Sequence, residues 1–149
     1  MYALAIAFAG AMLLAWQSAI LEPMQAEARV QAASDVAAAN FWAYRAAAVN
    51  YVAANPGASG TIPDANLTFA LGYLRNPAWT NVVSAGTLYT YSGAALPADT
   101  IDAVANRGGR TLVIGIAQPG GTMSSLTGGA SGFVLPAGIP AGSLVVIGS

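Results

Sequence analysis

At Asn55-Pro56-Gly57 the chain changes physical character, and that switch limits the folds open to it. Residues 1–54 are alanine-rich and contain only Gly10 and Pro23 as helix breakers. Residues 58–149 are rich in Gly, Pro, Ser, Thr and Asn, and their apolar residues come in short runs. A long run of strong helix formers closed by Asn, Pro and Gly predicts one extended helical region. Short β-prone runs between turn residues predict strands. The expected fold class is therefore α+β: a long N-terminal helix, then a small, mainly antiparallel sheet with one short helix. Three segments are expected: 1–22, 23–56 and a β-rich head at 57–149. With 149 residues in all, the chain has room for one core and little more.

The first 21 residues carry no side-chain charge. About 20 apolar residues in helical form cross the hydrocarbon of a bilayer, so residues 1–22 are expected to be a transmembrane helix in contact with lipid. Tyr2 and Trp16 suit the interfacial belts, and Ala3, Ala7, Gly10 and Ala11 offer the small surfaces on which such helices pack. Two other readings compete. A cleavable secretory signal normally begins with basic residues, which are absent here, and a soluble core helix seldom stays uncharged for so long. The flanking charges, Glu22, Glu27 and Arg29, give orientation little support.

Residues 23–56 are too polar for a second span, with Gln25, Glu27, Arg29, Gln31 and Asp35, and read as an amphipathic stem. Toward its end, Phe41, Tyr44, Ala48 and Tyr51 fall at spacings of three and four, one face of a helix. Trp42, Arg45, Val49 and Val52 form the adjacent stripe. Such a cluster is expected to fill the core of the head, or else to offer a recognition surface. Arg45 is expected to be paired or to reach water at the core edge, because an unpaired buried guanidinium is costly. Trp42, Arg45 and Trp79 are partner-contact candidates, on the condition that they are exposed.

Beyond Gly57, strands are expected at 67–71, 79–83, 87–91, 111–117, 132–135 and 143–147. Ser84-Ala85-Gly86 reads as a hairpin turn with Gly86 at positive φ. The unbroken apolar runs LVIGIA and SLVVI should be the most buried strands. PADTIDAVANRGG carries acids at its front and Arg-Gly-Gly at its end, the marks of a short capped helix. Residues 118–132 read as a flexible loop or a Gly-rich hairpin.

Chemistry is constrained by what is missing. The chain has no Cys, no His and no Lys, which removes thiolate and imidazole metal sites and most nucleophile–base pairs. Five Arg against six acidic residues leave a net charge of −1, so no basic field exists to hold nucleic acid. Asp99 and Asp102 lie three apart in the predicted short helix, where the helix dipole alone accounts for them. GGTMSSLTGG lacks the Gly-Lys ending of a phosphate loop, and Ser124 and Ser125 have no base in prospect. Arg107 and Arg110 read as solvated turn residues. No catalytic residue, cofactor or metal is expected, and the chain is read as non-enzymatic.

The order of these features resembles the PilM proteins of the thin, type IVB pili encoded on conjugative plasmids and related elements. FWAYRAAAVNYVAANPGASGTIPDANL, LGYLRNPAWTNVVSAGTLYTY, LVIGIA and IPAGSLVVIGS carry the resemblance, which spans nearly the whole chain. It implies a small inner-membrane component of a pilus assembly apparatus, its C-terminal part periplasmic, whose partners are other pilus assembly proteins or further copies of itself. The expected fold is also pilin-like in outline, so a minor pilin or pseudopilin is the rival reading. A prepilin has a Gly at its cleavage point and a Glu five residues into the mature helix, whereas here Ala15 follows Gly10 by five and the first acid is Glu22. An exported hydrolase with an uncleaved anchor is the alternative of another class.

Overall fold

The computed structural model describes residues 2–108, 113–126 and 132–148, without the side chains of residues 2–15 and 17–22. Helix α1 runs over Tyr2–Ala54 and passes through Pro23. It ends one residue before Asn55, and the Asn55 amide bonds back to the Tyr51 carbonyl at 2.9 Å. The remaining elements are β1 (Trp79–Ser84), β2 (Thr87–Ser92), α2 (Ala98–Gly108), β3 (Val113–Gln118), β4 (Thr122–Ser125), β5 (Phe133–Val134) and β6 (Leu144–Ile147).

Two compact units result, residues 1–34 and 35–149. The first is helical throughout its described residues, and from 23 to 33 its side chains are exposed, including Met24 and Val30. Among the described residues no helix is long and apolar enough to cross a membrane. The expected membrane segment, 1–22, falls where side chains other than that of Trp16 lie outside the described residues, and so do Ala3, Ala7, Gly10 and Ala11.

The second unit is an antiparallel sheet in the order β1-β2-β6-β3-β4-β5, packed against the last turns of α1 and against α2. The C-terminal strand β6 sits between β2 and β3, so the last strand to be made joins the two halves of the sheet. Strand alternation divides the side chains. Trp79, Val83, Leu88, Ile114, Leu144 and Val146 face α1, where Ala38, Phe41, Tyr44, Ala48 and Val52 meet them. Val145, Ala117 and Met123 lie on the opposite side under Leu135 and Ile139. Phe41, Tyr44 and Trp79 are each at most 1% exposed, and burying side chains of this kind stabilises the fold by about 1.5–3 kcal/mol apiece.

The 84–87 hairpin is a two-residue turn in which Ala85 has φ 49° and Gly86 φ 76°, the double positive φ of a type I′ connection. Gly115 is required for a different reason. A Cβ there would collide with the Ser124 carbonyl and lie 2.6 Å from the Met123 Cγ, so only glycine lets β4 and its methionine close over β3. Residues 118–132 contain the hairpin arm β4, paired to β3 from Gln118↔Thr122 to Gly115↔Ser125.

One strand expectation is corrected. Residues 67–71 are irregular, not a strand. Leu67 is buried and Phe69 stacks on Tyr73 with ring centroids 4.4 Å apart, so the alternating pattern reflects packing beneath a loop, without a ladder partner.

Candidate functional site

Between α1 and β1 lies a long connection, residues 55–78, whose only regular piece is a 3-10 turn at Asp64–Asn66. Loops longer than about 12–15 residues are commonly functional or disordered. This one is ordered because three polar side chains hold it at separate points.

Asn81, in the middle of β1 and fully buried, is the first. Its Oδ1 accepts from the Ile62 amide at 2.9 Å, and its Nδ2 donates to the Ile62 carbonyl at 3.1 Å and to the Tyr44 hydroxyl at 2.7 Å. The side chain thereby continues the sheet outward, beside the Gly60–Val83 bridge, and covers the free edge of β1. Burial raises the Tyr44 pKa above its ordinary value, while the hydrogen bond to Asn81 acts the other way.

Asn40 on α1 is the second. Its Oδ1 accepts from Trp79 Nε1 at 2.9 Å and from the Tyr73 hydroxyl at 3.2 Å, while its Nδ2 donates to the Leu74 carbonyl at 2.8 Å. Arg75 is the third: Nε pairs with Asp64 Oδ2 at 2.8 Å, Nη2 donates to the Trp79 carbonyl at 2.6 Å, and the guanidinium carbon lies 4.6 Å from the centre of the Tyr44 ring.

The tip held by these contacts is apolar and open to solvent. Leu71 is 107% exposed and Leu74 82%, and Val36, one turn before Asn40 on α1, is exposed as well. Two leucines displayed on a fixed backbone could meet an apolar surface with little ordering cost, because the loop's entropy has already been lost on folding.

The residues singled out from sequence are placed differently. Trp79 and Arg45 are 1% and 3% exposed, so neither meets a partner from the surface. Trp79 packs edge-to-face on Phe41 at 5.1 Å. Trp42 is half-buried and donates Nε1–H to the Val104 carbonyl at 3.1 Å, which fastens α2 to α1.

Arg45 is neither ion-paired nor extended to water among the described residues. Nη2 donates to the Gly148 carbonyl at 2.7 Å and the group lies 5.9 Å from the Trp42 ring centre, while Nη1 has no partner there. Desolvation lowers its pKa from the ordinary arginine value. Its partner among the described residues is thus a backbone carbonyl, just past the end of the sheet's central strand.

Asp99 and Asp102 are exposed on α2, and Arg107 is exposed near its end. Arg110 lies outside the described residues. No group of three or more Asp or Glu is gathered to hold a metal ion among the described residues. Sequence reasoning passed over Asn40, Asn81, Leu71 and Leu74. A signal did exist for the asparagines: each stands inside an element its residue type disfavours, which calls for a tertiary hydrogen bond.

No curated protein matches the chain. Among solved structures, it is similar to a PilM protein from Escherichia coli B7A, with 19% identity and a TM-score of 0.59 over 78% of this chain and 91% of that one. A pilM protein from Pseudomonas aeruginosa 2192 is 30% identical over 76% of this chain and 92% of that one, with a TM-score of 0.48. The PilM family profile matches residues 6–147, nearly the whole sequence, and the chain belongs to the PilM family, a pilus-related one.

Proposed function

We propose that this protein is a non-enzymatic, membrane-anchored component of type IVB pilus assembly, acting by association with other pilus assembly proteins. The observation that carries this reading is the fixed display of Leu71 and Leu74 on a loop held by Asn40, Asn81 and Arg75. In support, the uncharged N-terminal stretch and the aromatic anchor of the head are parts of one helix, α1. The N-terminal stretch sits in the inner membrane, packing on neighbours through Ala3, Ala7, Gly10 and Ala11. Its C-terminal unit faces the periplasm, where the leucine tip docks on an apolar surface of a neighbouring assembly protein.

The test is site-specific photocrosslinking from position 71 or 74 in cells assembling pili, with Leu71→Asp/Leu74→Asp assayed for piliation. A specific adduct to another pilus assembly protein, together with loss of pili by a stable double variant, is the expected result. Full piliation by a stably folded, normally abundant double variant would rule out docking through this tip.

A further inference from the structure

A second feature of the C-terminal unit lies at the end of α1, and neither Leu71 nor Leu74 lines it. The last turns of the helix and the 3-10 segment enclose an open pocket of about 170 Å³. Asn50, Asn55, Asn66 and Thr68 supply its polar lining, and Tyr51, with alanines of α1, supplies its apolar part. Its volume is close to the ~150 Å³ that accommodates a single six-membered ring.

The lining is uncharged. Nearby Asp64 is engaged by Arg75 at 2.8 Å and does not line the pocket. The C-terminal end of a helix carries partial negative charge, which disfavours phosphate and carboxylate groups and favours hydroxyl or amide donors. Within the described residues the side-chain amides of Asn50 and Asn66 make no protein hydrogen bond. Asn55 uses only Nδ2, donating to the Tyr51 carbonyl at 2.9 Å, which leaves its Oδ1 available. Each carboxamide offers both donors and an acceptor, the complement of a vicinal pair of hydroxyls. The half-buried Tyr51 ring and the alanine methyl groups offer the apolar contact that the C–H face of a pyranose needs.

We infer that this pocket binds one neutral pyranose ring, a hexose or N-acetylhexosamine unit, either as free sugar or as part of a glycan. The inference is independent of docking through Leu71 and Leu74.

The experiment is amide NMR of the full chain in a detergent without a sugar headgroup. It is titrated in turn with glucose, N-acetylglucosamine, a soluble N-acetylglucosamine oligomer, glucose 6-phosphate and a short neutral peptide. A neutral sugar is expected to shift resonances of Asn50, Asn55, Asn66 and Thr68, with the phosphorylated sugar binding more weakly. Tighter binding of the oligomer than of the monosaccharide identifies a glycan as the source, and equal binding identifies the free sugar. Asn50→Ala and Asn66→Ala, on exposed positions, should each weaken binding by roughly fivefold to tenfold without moving Tm. Silence of these resonances toward every neutral sugar at millimolar concentration, or a response to the peptide alone, would overturn the inference.

Discussion

The amide of Asn81 donates to the hydroxyl of Tyr44 at 2.7 Å, joining β1 to α1 across 37 positions of sequence inside the core. The same Asn81 makes two bonds to the Ile62 backbone, so one side chain fixes helix, strand and loop together. Polar groups buried in this way are worth most when every partner is satisfied, and cost most when one is removed.

Asn81→Leu keeps the volume but strands the Ile62 amide and carbonyl and the Tyr44 hydroxyl. It should lower stability by about 2–4 kcal/mol, whereas Tyr44→Phe should cost about 1 kcal/mol. Urea denaturation of the two single variants and the double variant checks this. The double should cost less than the sum of the singles, since the partners are bonded to each other.

Ala85 occupies left-handed backbone at φ 49°, which costs an L-residue roughly 1 kcal/mol. Asn tolerates that region and is the preferred first residue of a type I′ turn before glycine. Ala85→Asn should therefore raise Tm with the sheet register unchanged, with a gain of about 0.5–1 kcal/mol. Thermal unfolding followed by circular dichroism measures it.

Arg45→Met should leave stability unchanged or improve it by up to about 1 kcal/mol, because methionine fills the same space without a desolvated charge. Arg45→Ala leaves a cavity and should cost about 2–4 kcal/mol. Loss of several kcal/mol in the methionine variant would show that the bond to the Gly148 carbonyl outweighs desolvation of the guanidinium.

Alkaline pH offers a further check. Burial raises the pKa values of Tyr44, Tyr73 and Tyr91 above the ordinary tyrosine value of about 10. Above pH ~10 the unfolded chain loses these protons first and so binds fewer than the folded one, and stability falls as pH rises. Arg45, with its lowered pKa, has the opposite sign, but only as pH approaches the arginine range. Urea midpoints should be flat between pH 7 and 9 and decline just above 10, and Tyr44→Phe should shallow the decline.

Features written in local sequence were readable before the structure. Asn55-Pro56-Gly57 ends α1, Ala85-Gly86 makes the β1–β2 turn, and Asp99 and Asp102 mark the front of α2. The unbroken run at the C-terminus is the central strand, with Leu144, Val145 and Val146 completely buried. What escaped depends on distant partners. Residues 67–71 have a strand's alternation but no ladder partner, and Gly60 and Ile62 lie along the outer edge of β1. Arg45 finds a carbonyl 103 positions away, and no local pattern could name it. The leucine tip was invisible for a related reason. Leu71 and Leu74 look like core residues until Asn40 is seen holding the Leu74 carbonyl, with both leucine side chains left in water.

In the proposed role the protein stays anchored in the membrane and supports pilus assembly without entering the fibre. Intact-mass and N-terminal analysis of the chain from native membranes, beside the sheared pilus fraction, tests it most directly. The expected result is a chain retaining its N-terminal apolar segment, confined to the inner-membrane fraction. A chain shortened within that segment and recovered in the fibre would contradict it and make the protein a pilin-like subunit.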